Sequence, residues 1–236
     1  MDTANEVYLS NLIANYITLT FIVEYGQAYD LRDSACTSTA YLNTISSLSN
    51  YDNGVIYSKG HREPKSCTDS NKHVGVVMNN SNTLVTVWDH DIYSVTSSKI
   101  VNAFIWHCET AIPERGSDGC DCYGLSAAFT HNTTIPYWGT TGNQVYLGWT
   151  NEVPKTEYPL PLGGSPQYEW LLGHGAGVSD KYGDIPLLYY YFACTLGYSS
   201  VDALVALGYV LYSQSYQDTP LGGWLEIYGN RNVGLP

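Results

Sequence analysis

Two residues in this sequence stand where acyl-transfer chemistry would need them. Val55-Ile56-Tyr57-Ser58 is an apolar run that passes through Lys59 and Gly60 into His61. Forty-seven residues after that His, the run Ile100-Val101-Asn102-Ala103-Phe104-Ile105-Trp106 passes through His107 into Cys108 and Glu109. The reacting form of a cysteine is its thiolate, and an imidazole nearby can take the thiol proton and later return it to a leaving group. If both runs are parallel strands, their carboxyl ends open on one crevice, the usual place for a ligand in an open α/β sheet. Read singly, Cys108 would be a small core residue or half of a disulfide, and His61 a loop histidine.

Other reactive groups carry weaker chemistry. His107 adjoins Cys108 and so points to the opposite face of its strand, which makes it structural. His174, in Leu171-Leu172-Gly173-His174-Gly175, is a second candidate base, since chain order does not forbid spatial contact. Trp88-Asp89-His90-Asp91 could hold a divalent ion through oxygen ligands, but a solvated turn is the simpler reading. Cys108, Cys120 and Cys122 with His107 invite zinc, yet Cys-x-Cys is not the usual knuckle spacing. The glycines near Gly163 and Gly173 lack the strand and helix context of a phosphate loop. No cofactor or metal is expected.

The elements that would position the pair follow from periodicity. Ile17–Tyr25, rich in β-branched and aromatic residues, predicts a strand. Tyr41, Leu42, Ile45 and Leu48 recur at helical spacing and predict a helix over Ser38–Leu48. Gly54–Ser58 predicts a strand after the turn Asp52-Asn53-Gly54. Val74–Met78 and Leu84–Trp88 predict a hairpin. Ile100–Trp106 predicts a strand buried on both faces, Val145–Trp149 a short strand, and Ser199–Tyr212 a helix that Ser199 caps with Asp202 in its first turn. Alternating strands and helices indicate one α/β domain over residues 1–236. It is a three-layer sandwich around a mostly parallel sheet, with a loop-rich C-terminal half. The strands at Ile17–Tyr25, Gly54–Ser58 and Ile100–Trp106 are expected to lie together.

Composition narrows the partners. With 10 Lys+Arg against 22 Asp+Glu in 236 residues, the net charge is −12. That excludes the basic footprint of a nucleic-acid binder and docking on an anionic membrane surface. No membrane insertion is expected, because the greasiest stretch, Ile185–Tyr212, is interrupted by Gly197, Ser199, Ser200 and Asp202. Met1–Glu6 lacks the basic and apolar regions of a signal peptide. The 22 Tyr and the low charge lean toward an extracellular or cell-surface protein. Of six cysteines, a nucleophilic Cys108 must be free, so at most two disulfides can form among the other five.

The pattern strand–Gly-His, then strand–Cys-Glu, resembles the caspase-like cysteine peptidases: the caspase, metacaspase, legumain and gingipain clan. Gly197-Tyr198-Ser199-Ser200-Val201-Asp202 is similar to the late helix of gingipain-type members. Glu226-Ile227-Tyr228-Gly229-Asn230-Arg231 is similar to their closing Tyr-Gly-Asp-Pro segment, and Tyr123–Thr130 to archaeal relatives. The resemblance implies that Cys108 is the nucleophile and His61 the base. The oxyanion would be held by the N–H of Cys108 and one just after His61. The clan has Gly there; this chain has Arg62, which must turn outward to leave room. Glu109, beside the nucleophile, is a candidate pocket residue favouring a basic side chain before the scissile bond. The implied function is an extracellular cysteine endopeptidase acting on a peptide or protein substrate. The other reading is a catalytically silent caspase-like module, self-assembling in a surface layer, filament or adhesive structure.

Overall fold

The computed structural model describes residues 3–64, 74–80, 83–111, 124–132, 135–160 and 181–235. In chain order the elements are helix α1 (Ala4–Tyr25), helix α2 (Ser38–Leu48), strands β1 (Gly54–Lys59), β2 (His61–Pro64), β3 (Val74–Asn80) and β4 (Thr83–Trp88), helix α3 (Asp89–Val95), strand β5 (Ile100–Trp106), helix α4 (Gly124–Thr130), strand β6 (Val145–Trp149), helices α5 (Asp184–Tyr190) and α6 (Ser200–Tyr212), and strand β7 (Leu225–Gly229). They fall into two compact units. One takes Leu31–Val153 and Leu225–Val233; the other takes Met1–Asp30, Pro154–Trp224 and Gly234–Pro236.

The first unit is α/β. Its main sheet has the order β1-β5-β6-β7, with β1, β5 and β6 parallel and β7 antiparallel. Every residue of β5 is buried, Asn102 included, as befits a central parallel strand. Ala103 and Ile105 join Tyr41 and Ile45 of α2, Ile92 of α3 and Phe129 of α4 in one core. On the other face Phe104 and Trp106 are fully buried, with Trp106 edge-on to Trp149 at 4.8 Å between ring centroids. The fold is therefore α/β with a mostly parallel central sheet. β2, β3 and β4 form a second, antiparallel sheet, in which the expected hairpin pairs Asn80 with Thr83 and Gly75 with Trp88. Helix α2 starts at Thr37, whose side chain accepts from the N–H of Ala40 at 3.1 Å.

The second unit is helical, and here one expectation fails. Ile17–Tyr25 is the C-terminal part of α1, not a strand. The helical signal starts upstream of that window. Glu6, Leu9, Ile13, Ile17 and Thr20 are buried at spacings of three and four. Thr3 caps the N-terminus by accepting from the N–H of Glu6, and Gly26, at φ 74°, ends the helix in the left-handed conformation. The Glu6 carboxylate accepts from the N–H groups of Thr156 and Glu157 at 3.0 and 2.9 Å. β-branched side chains tolerate a helix when packing outweighs their small intrinsic cost. At 22 residues, α1 is long and apolar enough to cross a membrane by length and composition, unlike the stretch singled out from sequence, which is divided between α5, a π-turn (Tyr191–Thr195) and α6. Ser199 caps α6 as expected, accepting from the N–H of Asp202 at 3.2 Å.

Candidate active site at the carboxyl ends of β1 and β5

The parallel register places Tyr57 beside Phe104 and Lys59 beside Trp106, so β1 and β5 end side by side. The ladder stops with the N–H of Gly60 donating to the carbonyl of Trp106 at 3.3 Å. Beyond it, two side-chain contacts carry the pairing on. The His107 ring donates from Nδ1 to the main-chain carbonyl of His61 at 2.9 Å. The Arg62 guanidinium forms an ion pair with Glu109. His61 and Cys108 each lie beside these contacts: one contact uses the carbonyl of His61 and the residue before Cys108, the other the residues just after each.

Cys108 sits on a tight turn. Glu109 adopts φ 49°, a left-handed value costly for a residue with a side chain. The turn is held from several directions. The N–H of Glu109 donates to the carbonyl of Asn151 at 3.0 Å, and that of Ala111 to Trp149 at 2.9 Å. The Tyr146 hydroxyl donates to the carbonyl of Thr110 at 2.9 Å, and the Tyr228 hydroxyl to that of Ala111 at 2.7 Å. A turn so fixed can keep an outlying backbone angle that would otherwise relax. The thiol is free and partly exposed, and its Sγ accepts from the N–H of Val153 at 3.3 Å. Among the described residues the Cys108 N–H makes no hydrogen bond, as an oxyanion donor must before substrate arrives.

The base candidate is placed differently. His61 opens β2 opposite Val77, and its side chain is exposed. Among the described residues, the N–H of Val153 is the hydrogen-bond partner of the Cys108 sulfur. Arg62 does not turn outward: its side chain is only 7% exposed and is held on Glu109. Glu109's charge is thus answered from within the chain.

His107 is buried, and it is more than filling. It is buried on the side where α2 packs, in phase with Ala103 and Ile105. A carbonyl can only accept, so Nδ1 carries the proton and Nε2 is left as an acceptor. Ser58 Oγ lies 3.0 Å from Nε2, and the Tyr41 hydroxyl donates to Ser58 Oγ at 3.2 Å. Burial holds His107 neutral, lowering its pKa to about 4. Gly60 makes the room: a Cβ there would stand 2.8 Å from the His107 ring. Sequence reasoning passed over Ser58, Tyr41 and Gly60. The available signal was that Ser58 shares its face of β1 with buried Ile56.

The remaining candidates separate. Trp88-Asp89-His90-Asp91 is the start of α3, not a solvated turn: Asp91 accepts from the N–H of Trp88 at 3.0 Å, and buried Asp89 from that of Gly124 at 3.2 Å. No group of three or more potential metal ligands occurs among the described residues. His174, Cys67, Cys120 and Cys122 lie outside the described residues; Cys36 and Cys194 are free thiols. No protein-family profile, curated protein or solved structure matches the chain.

Proposed function

We propose that this chain is a cysteine endopeptidase of caspase-like design, with Cys108 as nucleophile and His61 as general base and acid. The observation that carries the reading is the adjacent ending of parallel β1 and β5. It supports a free, partly exposed thiol and an exposed imidazole emerging on one side of the sheet. In the first step Cys108 Sγ bonds to the scissile carbonyl carbon while its proton passes to His61. The C–N bond breaks as His61 gives that proton to the leaving amine, and a thioester remains. Water then gives a proton to His61 and its oxygen to the acyl carbon. The C–S bond breaks, the acid product leaves, and the proton returns to Cys108. The N–H of Cys108 is suited to the developing oxyanion. The low charge and abundant Tyr support an extracellular or cell-surface setting.

One observation favours the second reading, a silent module that self-assembles at a surface. Arg62 is folded onto Glu109 beside the nucleophile instead of turning away. The same ion pair weakens the argument that Glu109 selects a basic substrate side chain. Incubation with a mixture of unstructured peptides, with products read by mass spectrometry, tests the choice. Cleavage by the native chain that disappears in Cys108→Ala supports the peptidase. No cleavage by either, or equal cleavage by both, contradicts it.

A further inference from the structure

We propose that His107 is a positioning residue for the His61/Cys108 pair: its ring, seated between Ser58 and the carbonyl of His61, ties the main chain that carries the base to the turn that carries the nucleophile. The inference rests on the peptidase reading above and concerns how that site is assembled.

The β1–β5 ladder ends at Gly60 and Trp106, and the chain beyond β1 turns at once into a different sheet, where His61 pairs with Val77. The placement of His61 relative to Cys108 is therefore not set by the ladder. The His107 Nδ1–H bond to the His61 carbonyl, at 2.9 Å, bridges that gap alongside the Arg62–Glu109 ion pair, and of the two it alone holds the main chain of His61. Each end of the ring is fixed by its partner. The carbonyl demands a proton on Nδ1, so the Ser58 hydroxyl must donate to Nε2, and the Tyr41 hydroxyl then fills the vacant acceptor site on Ser58. The proton order has one solution, and so does the ring orientation.

A purely structural role explains this poorly. A satisfied buried polar side chain contributes little net stability over a well-packed apolar one. What an apolar residue could not supply is direction: two hydrogen bonds that set the rotation of the ring and the position of one carbonyl. The ring also needs Gly60, whose hydrogen leaves the space that any Cβ would fill. Ser58, Gly60 and His61 on one strand end, and His107 and Cys108 on its neighbour, act as one unit.

The test follows alkylation of Cys108 by iodoacetamide in the full chain across pH 5 to 9, read peptide by peptide in the mass spectrometer. The chains compared are wild type, His61→Ala, His107→Asn and His107→Gln. Asn places an amide N–H where Nδ1 stands and keeps the bond to the His61 carbonyl. Gln reaches toward Ser58 and leaves that carbonyl unserved. His61→Ala is expected to slow alkylation near pH 6 by about 100-fold and to change its pH dependence. His107→Gln is expected to reproduce part of that change, at about tenfold, and His107→Asn to stay within about threefold of wild type. If His61→Ala changes nothing, the dyad itself fails. If His61→Ala slows the reaction while His107→Gln behaves as wild type, or Asn and Gln lose equally with unchanged melting, the dyad stands and the positioning role falls. Should the variants not fold, the ring nitrogens of the wild-type chain decide by 15N NMR: a neutral Nδ1–H tautomer for His107 supports the bond to His61, and an Nε2–H tautomer overturns it.

Discussion

The two units each hold a free cysteine in well-packed surroundings, and the two thiols are placed for opposite fates. In the helical unit Cys194 lies in the π-turn that continues α5, buried beside Tyr25, and burial pushes its thiol up to about 12. The Cys194 side chain itself is shut off from solvent, with Tyr25 rather than a histidine against it. In the α/β unit Cys108 sits past the end of a central strand, partly exposed, with a main-chain N–H on its sulfur and a histidine just beyond the end of the neighbouring strand β1. Both side chains are small and sulfur-bearing, so composition cannot tell them apart. A helix interior seals its cysteine, whereas a parallel sheet delivers whatever follows a strand to its carboxyl edge.

The sharpest way to break that contrast is to remove the Cys108 sulfur. Cys108→Ala is expected to lower peptide hydrolysis by at least about 1,000-fold while the melting temperature is unchanged, because one atom leaves a partly exposed site. A Cys194→Ala chain should keep full turnover and lose stability instead, seen as a lower midpoint in urea. A second comparison uses the native chain alone. Iodoacetamide at neutral pH is expected to label Cys108 about 100-fold faster than Cys194, since reaction follows thiolate content and access. Similar rates in the folded chain would erase the distinction.

Histidines sharpen the picture on the acid side. His107 has its pKa lowered from 6.5 to about 4 by burial, so the unfolded chain binds its proton first as pH falls. Keeping the ring neutral costs folding nothing above about pH 6.5 and costs increasingly more as pH drops toward 4. The cost is on the order of 3 kcal/mol across that window. Urea unfolding at pH 7, 6, 5 and 4 should show a steeper decline in wild type than in His107→Asn; parallel curves would mean that His107 is not buried neutral. The smallest effect concerns Arg62. Replacing it with Gly should raise kcat/KM for peptide substrates by a few-fold, as room opens beside the oxyanion position. A fall in kcat/KM would identify the Arg62–Glu109 ion pair as part of the working site.

Much of the α/β unit was legible because its signals are local and periodic. The run Ile100–Trp106 could only be a strand buried on both faces. Tyr41, Leu42, Ile45 and Leu48 mark α2, and the Asn-rich turn marks the hairpin of β3 and β4. The helix α1 was misread because Ile17–Tyr25, seen alone, has the composition of a strand. Its helical period shows only when Leu9 and Ile13 are counted with Ile17 and Thr20. At the site, the strand ends that carry His61 and Cys108 could be found from the runs that precede them. The Tyr41–Ser58–His107 chain could not, because it needs α2 laid across β1 and β5, a long-range packing with no mark in any single segment. The direction of Arg62 was equally hidden, since it depends on a charge 47 residues away.

The most direct test of the His61/Cys108 pair is labelling with a peptidyl acyloxymethyl ketone, whose methylene reacts with a catalytic thiol positioned by its histidine. The expected result is one label per chain, on Cys108, blocked by excess unlabelled peptide substrate and lost in His61→Ala. An unlabelled Cys108 in the folded chain, or labelling that persists unchanged in His61→Ala, would contradict it.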